Sequence, residues 1–97
     1  MVKHIVAFRL KGSAEERLEV SKAFKAALLA LPGQIECLES MEVGINENPA
    51  EDWDVVLTAV VPTMADVAVY AGHPAHLAAA AIVGPVKESR ACVDYEF

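Results

Sequence analysis

Polar and apolar positions alternate along residues 3–10, KHIVAFRL, which places His4, Val6, Phe8 and Leu10 on one face and Ile5 and Ala7 on the other. Such period-two alternation predicts a strand. Gly12 breaks it. Ser13 with Glu16 three residues on is a capping-box signature. Behind it Val20, Phe24, Ala27 and Leu31 recur at helical spacing until Pro32-Gly33. Residues 36–46, ECLESMEVGIN, predict a second strand. Leu38 and Val43 are out of step there, and a bulge somewhere in the strand would reconcile them. NENPAED, 46–52, is a turn-rich loop. WDVVLTAVVP, 53–62, carries the clearest strand pattern. Thr63 with Asp66 opens a further helix, which Gly72 ends. Pro74 suits a first helical position, so another short helix runs to about Gly84, before Pro85. ACVDYEF, 91–97, sets Ala91, Val93, Tyr95 and Phe97 against Cys92, Asp94 and Glu96.

The order β-α-β-β-α-β, with its second helical region broken in two, predicts an α+β, ferredoxin-like fold: one four-stranded antiparallel sheet with helices on one face. A sheet covered on one side should be polar on the other. Here the second face carries Ile5, Ala7, Val56 and Val60. Too few residues remain for another helix layer. The expected cover is a second copy of the chain, sheet on sheet, as an isologous homodimer.

Length and charge narrow the function. Ninety-seven residues suit one domain spanning 1–97. A net charge of −6 without a basic run argues against nucleic acid and anionic membrane surfaces. No apolar stretch approaches the roughly 20 residues of a membrane span, and no signal-peptide pattern opens the chain. A cytoplasmic protein is expected. Its two cysteines, Cys37 and Cys92, are expected to be inert buried thiols.

Candidate chemistry gathers in VYAGHPAHLAAAAIVGP, residues 69–85. His76 falls in the first turn of the helix opened by Pro74. The helix dipole and burial both disfavour its charged form there. A neutral imidazole can act as general base toward an acidic C–H beside a carbonyl. The competing reading has one ring nitrogen bonded to a backbone carbonyl, steadying the kink. His4 lies on the helix-facing side of the first strand, where a histidine is often a satisfied core residue. The topology brings it near His76, so the two rings can share one pocket as base and orienting group. Tyr70 packs its ring in the core and has a hydroxyl able to bond a substrate carbonyl. His73, before a proline, reads as structural. No metal site is expected, because Pro74 separates His73 from His76 and no carboxylate stands nearby.

KHIVAFRLK, LPG, EVGIN, YAGHPAH and VDYEF, in this order and spacing, resemble the stress-responsive dimeric α/β-barrel (Dabb) family across the whole chain. The resemblance implies a homodimer in which two sheets form a barrel. One plant branch, the olivetolic acid cyclases, closes a polyketide acid without metal or cofactor. The resemblance implies that His4, His76 and Tyr70 match its working residues. Phe24 and Val55 stand where that branch has a tyrosine and a histidine.

The expectation is therefore a homodimer with an apolar pocket between sheet and helices, lined by Val6, Phe8, Phe24, Leu57 and Tyr70. His4 and His76 are its polar groups and a small apolar, carbonyl-bearing molecule its ligand. An enzymatic role would be cofactor-free proton transfer: cyclisation, isomerisation or a lyase reaction. The rival readings are a non-enzymatic stress-associated dimer and a cofactor-free monooxygenase.

Overall fold

The computed structural model describes residues 1–97. Strand β1 is Val2–Leu10, helix α1 Ala14–Leu29, β2 Ser40–Ile45, β3 Val55–Val61, α2 Met64–Gly72, α3 Pro74–Val83 and β4 Lys87–Glu96, with a 3-10 turn at Gly84–Val86 before β4. The strands form one sheet in the order β2-β3-β1-β4. Every neighbouring pair is antiparallel. This is the ferredoxin-like βαββαβ arrangement. No single helix is long and apolar enough to cross a membrane.

Local chemistry sets the helix ends. Ser13 Oγ accepts the Glu16 N–H at 3.1 Å, and the Glu16 carboxylate accepts the Ser13 N–H at 3.1 Å. This closed capping box contributes on the order of 1 kcal/mol. Thr63 and Asp66 repeat the device at α2. His73 ends α2 and caps α3: its Nδ1 accepts the Ala75 N–H at 3.0 Å. Extended backbone at His73, which the following proline favours, bends the two helices by 71°.

Alternation fills the core. Val2, His4, Val6, Phe8 and Leu10 of β1 are buried, as are Val55, Leu57, Ala59 and Val61 of β3. The Phe8 and Phe24 rings meet edge to face with centroids 5.4 Å apart, a pairing that adds about 0.5–1.5 kcal/mol to their burial.

The second strand is shorter than the alternation of 36–46 predicts, and no bulge joins its two halves. Ile35 and Leu38 reach the core from turns ahead of the strand, which begins only at Ser40. The two phases therefore belong to two different local structures.

Asp54 ties the β1–α1 corner to β3. Its carboxylate accepts the Leu10 N–H at 2.7 Å and Arg17 Nε at 3.1 Å, while its own N–H donates to the Phe8 carbonyl at 2.9 Å.

Beyond the covered side, Ile5 and Ala7 are half-buried, and Val56, Val93, Tyr95 and Phe97 are exposed. The apolar second face expected from the sequence is present.

Candidate functional site

The site arises where β4 runs past the helices. In register, His4 stands opposite Asp94, Val6 opposite Cys92 and Phe8 opposite Arg90. The row Arg90, Cys92, Asp94 thus shares the helix-facing side of the sheet with β1's core residues. No residue of β4 is buried, so the sheet's helix side ends in a polar edge rather than in core.

His4 is 6% exposed. Its Nδ1 pairs with the Asp94 carboxylate, whose side chain is 24% exposed. A carboxylate accepts, so the ring donates from Nδ1. Cys92 Sγ lies 3.5 Å from the same nitrogen and 3.8 Å from Asp94 Oδ1. The expectation of an inert buried thiol fails for Cys92 on exposure: the residue is exposed, because β4 is an uncovered edge strand. Desolvation around the sulfur and then the Asp94 charge raise its thiol pKa. Cys37 is half-buried, and its thiol is raised chiefly by burial as well.

Tyr70 sits between the two imidazoles. Its ring centroid is 5.7 Å from that of His4, edge to face, and 4.6 Å from that of His76. The residue is 0% exposed, and its buried hydroxyl has no hydrogen-bond partner. Burial pushes its pKa well above the ordinary tyrosine value, which keeps it a protonated donor. An orphaned buried hydroxyl costs about 1–3 kcal/mol, and a ligand's oxygen would satisfy it.

His76 is half-buried in the first turn of α3. Its Nδ1 lies 2.8 Å from the Ala71 carbonyl. A carbonyl only accepts, so Nδ1 carries the proton and the neutral ring keeps its lone pair on Nε2. Burial lowers the pKa below 6.5, and the nearby His4 and Arg90 charges lower it further, against the Ala71 carbonyl. At neutral pH the ring is a free base. The backbone bond of the structural reading and the free nitrogen of the catalytic reading thus coexist in one side chain.

The remaining sequence candidates divide. Val6 and Phe8 adjoin the cluster through their β4 neighbours. Phe24 and Leu57, 2% and 3% exposed, sit inside the close-packed core. Asp94 was not among the sequence candidates. Only its face, shared with Cys92 in the alternation of 91–97, marked it; the pairing with a histidine 90 residues away is tertiary.

These features define a ferredoxin-like protein with a tyrosine held between two oriented imidazoles at the sheet's polar edge. The chain belongs to the stress responsive A/B barrel domain family, whose profile matches residues 2–97. It is similar to a dimeric protein of unknown function and ferredoxin-like fold from Bacteroides fragilis, with 49% identity, a TM-score of 0.95, and coverage of 99% of this chain and 95% of that one. A dimeric ferredoxin-like protein of unknown function from Thermobifida fusca is 26% identical, with a TM-score of 0.80 and coverage of 99% and 90%. A hydroxynitrile lyase from Passiflora edulis shares the fold at 19% identity, with a TM-score of 0.71 and coverage of 97% and 90%. No curated protein matches the chain.

Proposed function

We propose that this chain is a homodimer, joined through the open sheet face, in which each protomer moves a proton on a small apolar carbonyl compound without a cofactor. The observation that carries this reading is the buried, partnerless hydroxyl of Tyr70 between His4 and His76. A carbonyl oxygen at that hydroxyl accepts its hydrogen bond. His76 Nε2 takes a proton from the carbon next to the carbonyl, and electron density moves onto the oxygen as an enolate. Tyr70 stabilises that oxygen by hydrogen bonding. The proton returns from Nε2 to the original or another carbon, which gives exchange, isomerisation or, with a second carbonyl, ring closure. Asp94 orients the His4 ring, which packs on Tyr70 and holds it in place. Val6 and Phe8 are the nearest core side chains for the ligand's apolar body.

The dimer is supported by the apolar open face and by the dimeric Bacteroides fragilis and Thermobifida fusca relatives.

The test is binding of 4-phenylbutan-2-one followed by NMR of the histidine and tyrosine rings. Shifts at Tyr70 and His76, and at least about tenfold weaker binding in Tyr70→Phe, are expected. Ring signals that stay fixed at millimolar ketone would refute the reading. A second reading, a purely structural cluster, draws on the His76–Ala71 bond. It predicts that His76→Ala destabilises the fold by about 1–3 kcal/mol while ketones leave the rings unmoved.

A further inference from the structure

The contact between His4 and Asp94 includes a third group that the proton-transfer reading does not use. His4 Nδ1, Cys92 Sγ and one Asp94 carboxylate oxygen all lie within 4.8 Å of one another. The sulfur is 3.5 Å from the nitrogen and 3.8 Å from the oxygen. Ligands of a four-coordinate zinc stand about 3.5 Å apart, as bond lengths near 2.0–2.3 Å and tetrahedral angles require. Both sulfur separations fit. The geometry points to a transition-metal site of the zinc class at His4 Nδ1, Cys92 Sγ and Asp94, with the fourth position open to water.

The donors suit such an ion: one imidazole nitrogen, one thiolate and one carboxylate are a borderline-soft set of the kind zinc accepts and magnesium or calcium does not. Adjacent strands place them. Cys92 and Asp94 are two apart on β4 and so share a face, and the β1–β4 register sets His4 opposite Asp94. On binding, the Cys92 thiol loses its proton, while the neutral His4 ring turns its lone pair to Nδ1 and carries its one proton on Nε2, so one proton leaves for each divalent ion bound. The Asp94 carboxylate turns far enough from the ring to admit the ion, which its partly exposed side chain permits. The site is separate from the His73–His76 pair, where His73 Nδ1 is engaged as a helix cap.

The reduced, chelator-treated protein is titrated with Co²⁺ and then with Zn²⁺. A thiolate-to-cobalt charge-transfer band in the near ultraviolet, with the visible bands of four-coordinate cobalt, is expected at one ion per protomer and should vanish on adding Zn²⁺. Cys92→Ser should abolish the charge-transfer band, and Asp94→Asn should weaken zinc binding by about tenfold or more. Both lie on β4, where no residue is buried, and the circular dichroism of each variant should match that of the wild type. Cys37→Ser and His73→Ala should leave the bands unchanged. Absence of a charge-transfer band, or a band that survives Cys92→Ser or disappears in Cys37→Ser, would overturn the site. Either result leaves the ketone-binding outcome free to go either way.

Discussion

Tyr70 and His76 face each other with ring centroids 4.6 Å apart, one holding a hydroxyl without a partner and the other a ring nitrogen without a proton. The donor is stranded by complete burial and the base by a backbone carbonyl that occupies the opposite nitrogen. A fold gains nothing from stranding a hydroxyl, so this pair is where stability and function should separate.

Tyr70→Phe removes an orphaned polar atom and keeps the ring. Its unfolding free energy should equal or exceed that of the wild type by up to about 1–3 kcal/mol, measured by urea denaturation at one fixed protein concentration because a dimer's stability depends on it. A loss above about 1 kcal/mol would mean that the hydroxyl has a partner in the folded protein.

The His76 imidazole has a folded pKa below its ordinary 6.5. Above that value both folded and unfolded rings are neutral, and the full contribution to stability is present. As the pH falls, the unfolded ring takes a proton that the folded one resists, so stability is lost until the pH passes the folded pKa. His4, Tyr70 and Arg90 face the ring and leave it no carboxylate to offset this. His76→Gln should therefore lose less stability than the wild type between about pH 7 and 5. NMR titration of the His76 ring should give a midpoint below 6.5; a midpoint above it would contradict the burial argument.

The open sheet face should fail under a single charge. Val93, 60% exposed in the protomer, stands opposite Ile5. Val93→Lys should shift sedimentation equilibrium from a dimer to a protomer of about 10.4 kDa and lower the thermal midpoint. A wild-type protein that sediments as a monomer would remove the case for sheet-on-sheet pairing.

Asp54 holds the β1–α1 corner through the Leu10 N–H and Arg17. Asp54→Ala strands a backbone donor, and should cost about 1–3 kcal/mol in chemical unfolding with ketone binding unchanged. A neutral result would show that water replaces the carboxylate there.

The sequence pattern carried β1, β3, the capped starts of α1 and α2, and the broken α2–α3 region, because each is set by neighbours a few residues apart. It also marked Tyr70 and His76, which flank the Pro-broken helix, and His4, a polar ring on an otherwise apolar strand face. What escaped it depends on distant pairing. Leu38 reaches the core from a turn ahead of β2, so its mismatch with Val43 mimicked a bulged strand. Asp94 gains its role only from a register spanning 90 residues. Cys92 looked buried because its strand alternates cleanly, yet that strand is an edge whose helix-facing row no helix covers.

The most direct measurement is proton exchange itself. In deuterated buffer, with chelator present, the chain should speed incorporation of deuterium next to the carbonyl of 4-phenylbutan-2-one, followed by NMR. The account predicts that His76→Ala slows the protein-dependent rate by about 100-fold or more and Tyr70→Phe by a similar factor, while Asp54→Ala leaves it unchanged. Exchange no faster than in buffer alone, or equally fast in His76→Ala, would contradict the proton-transfer site.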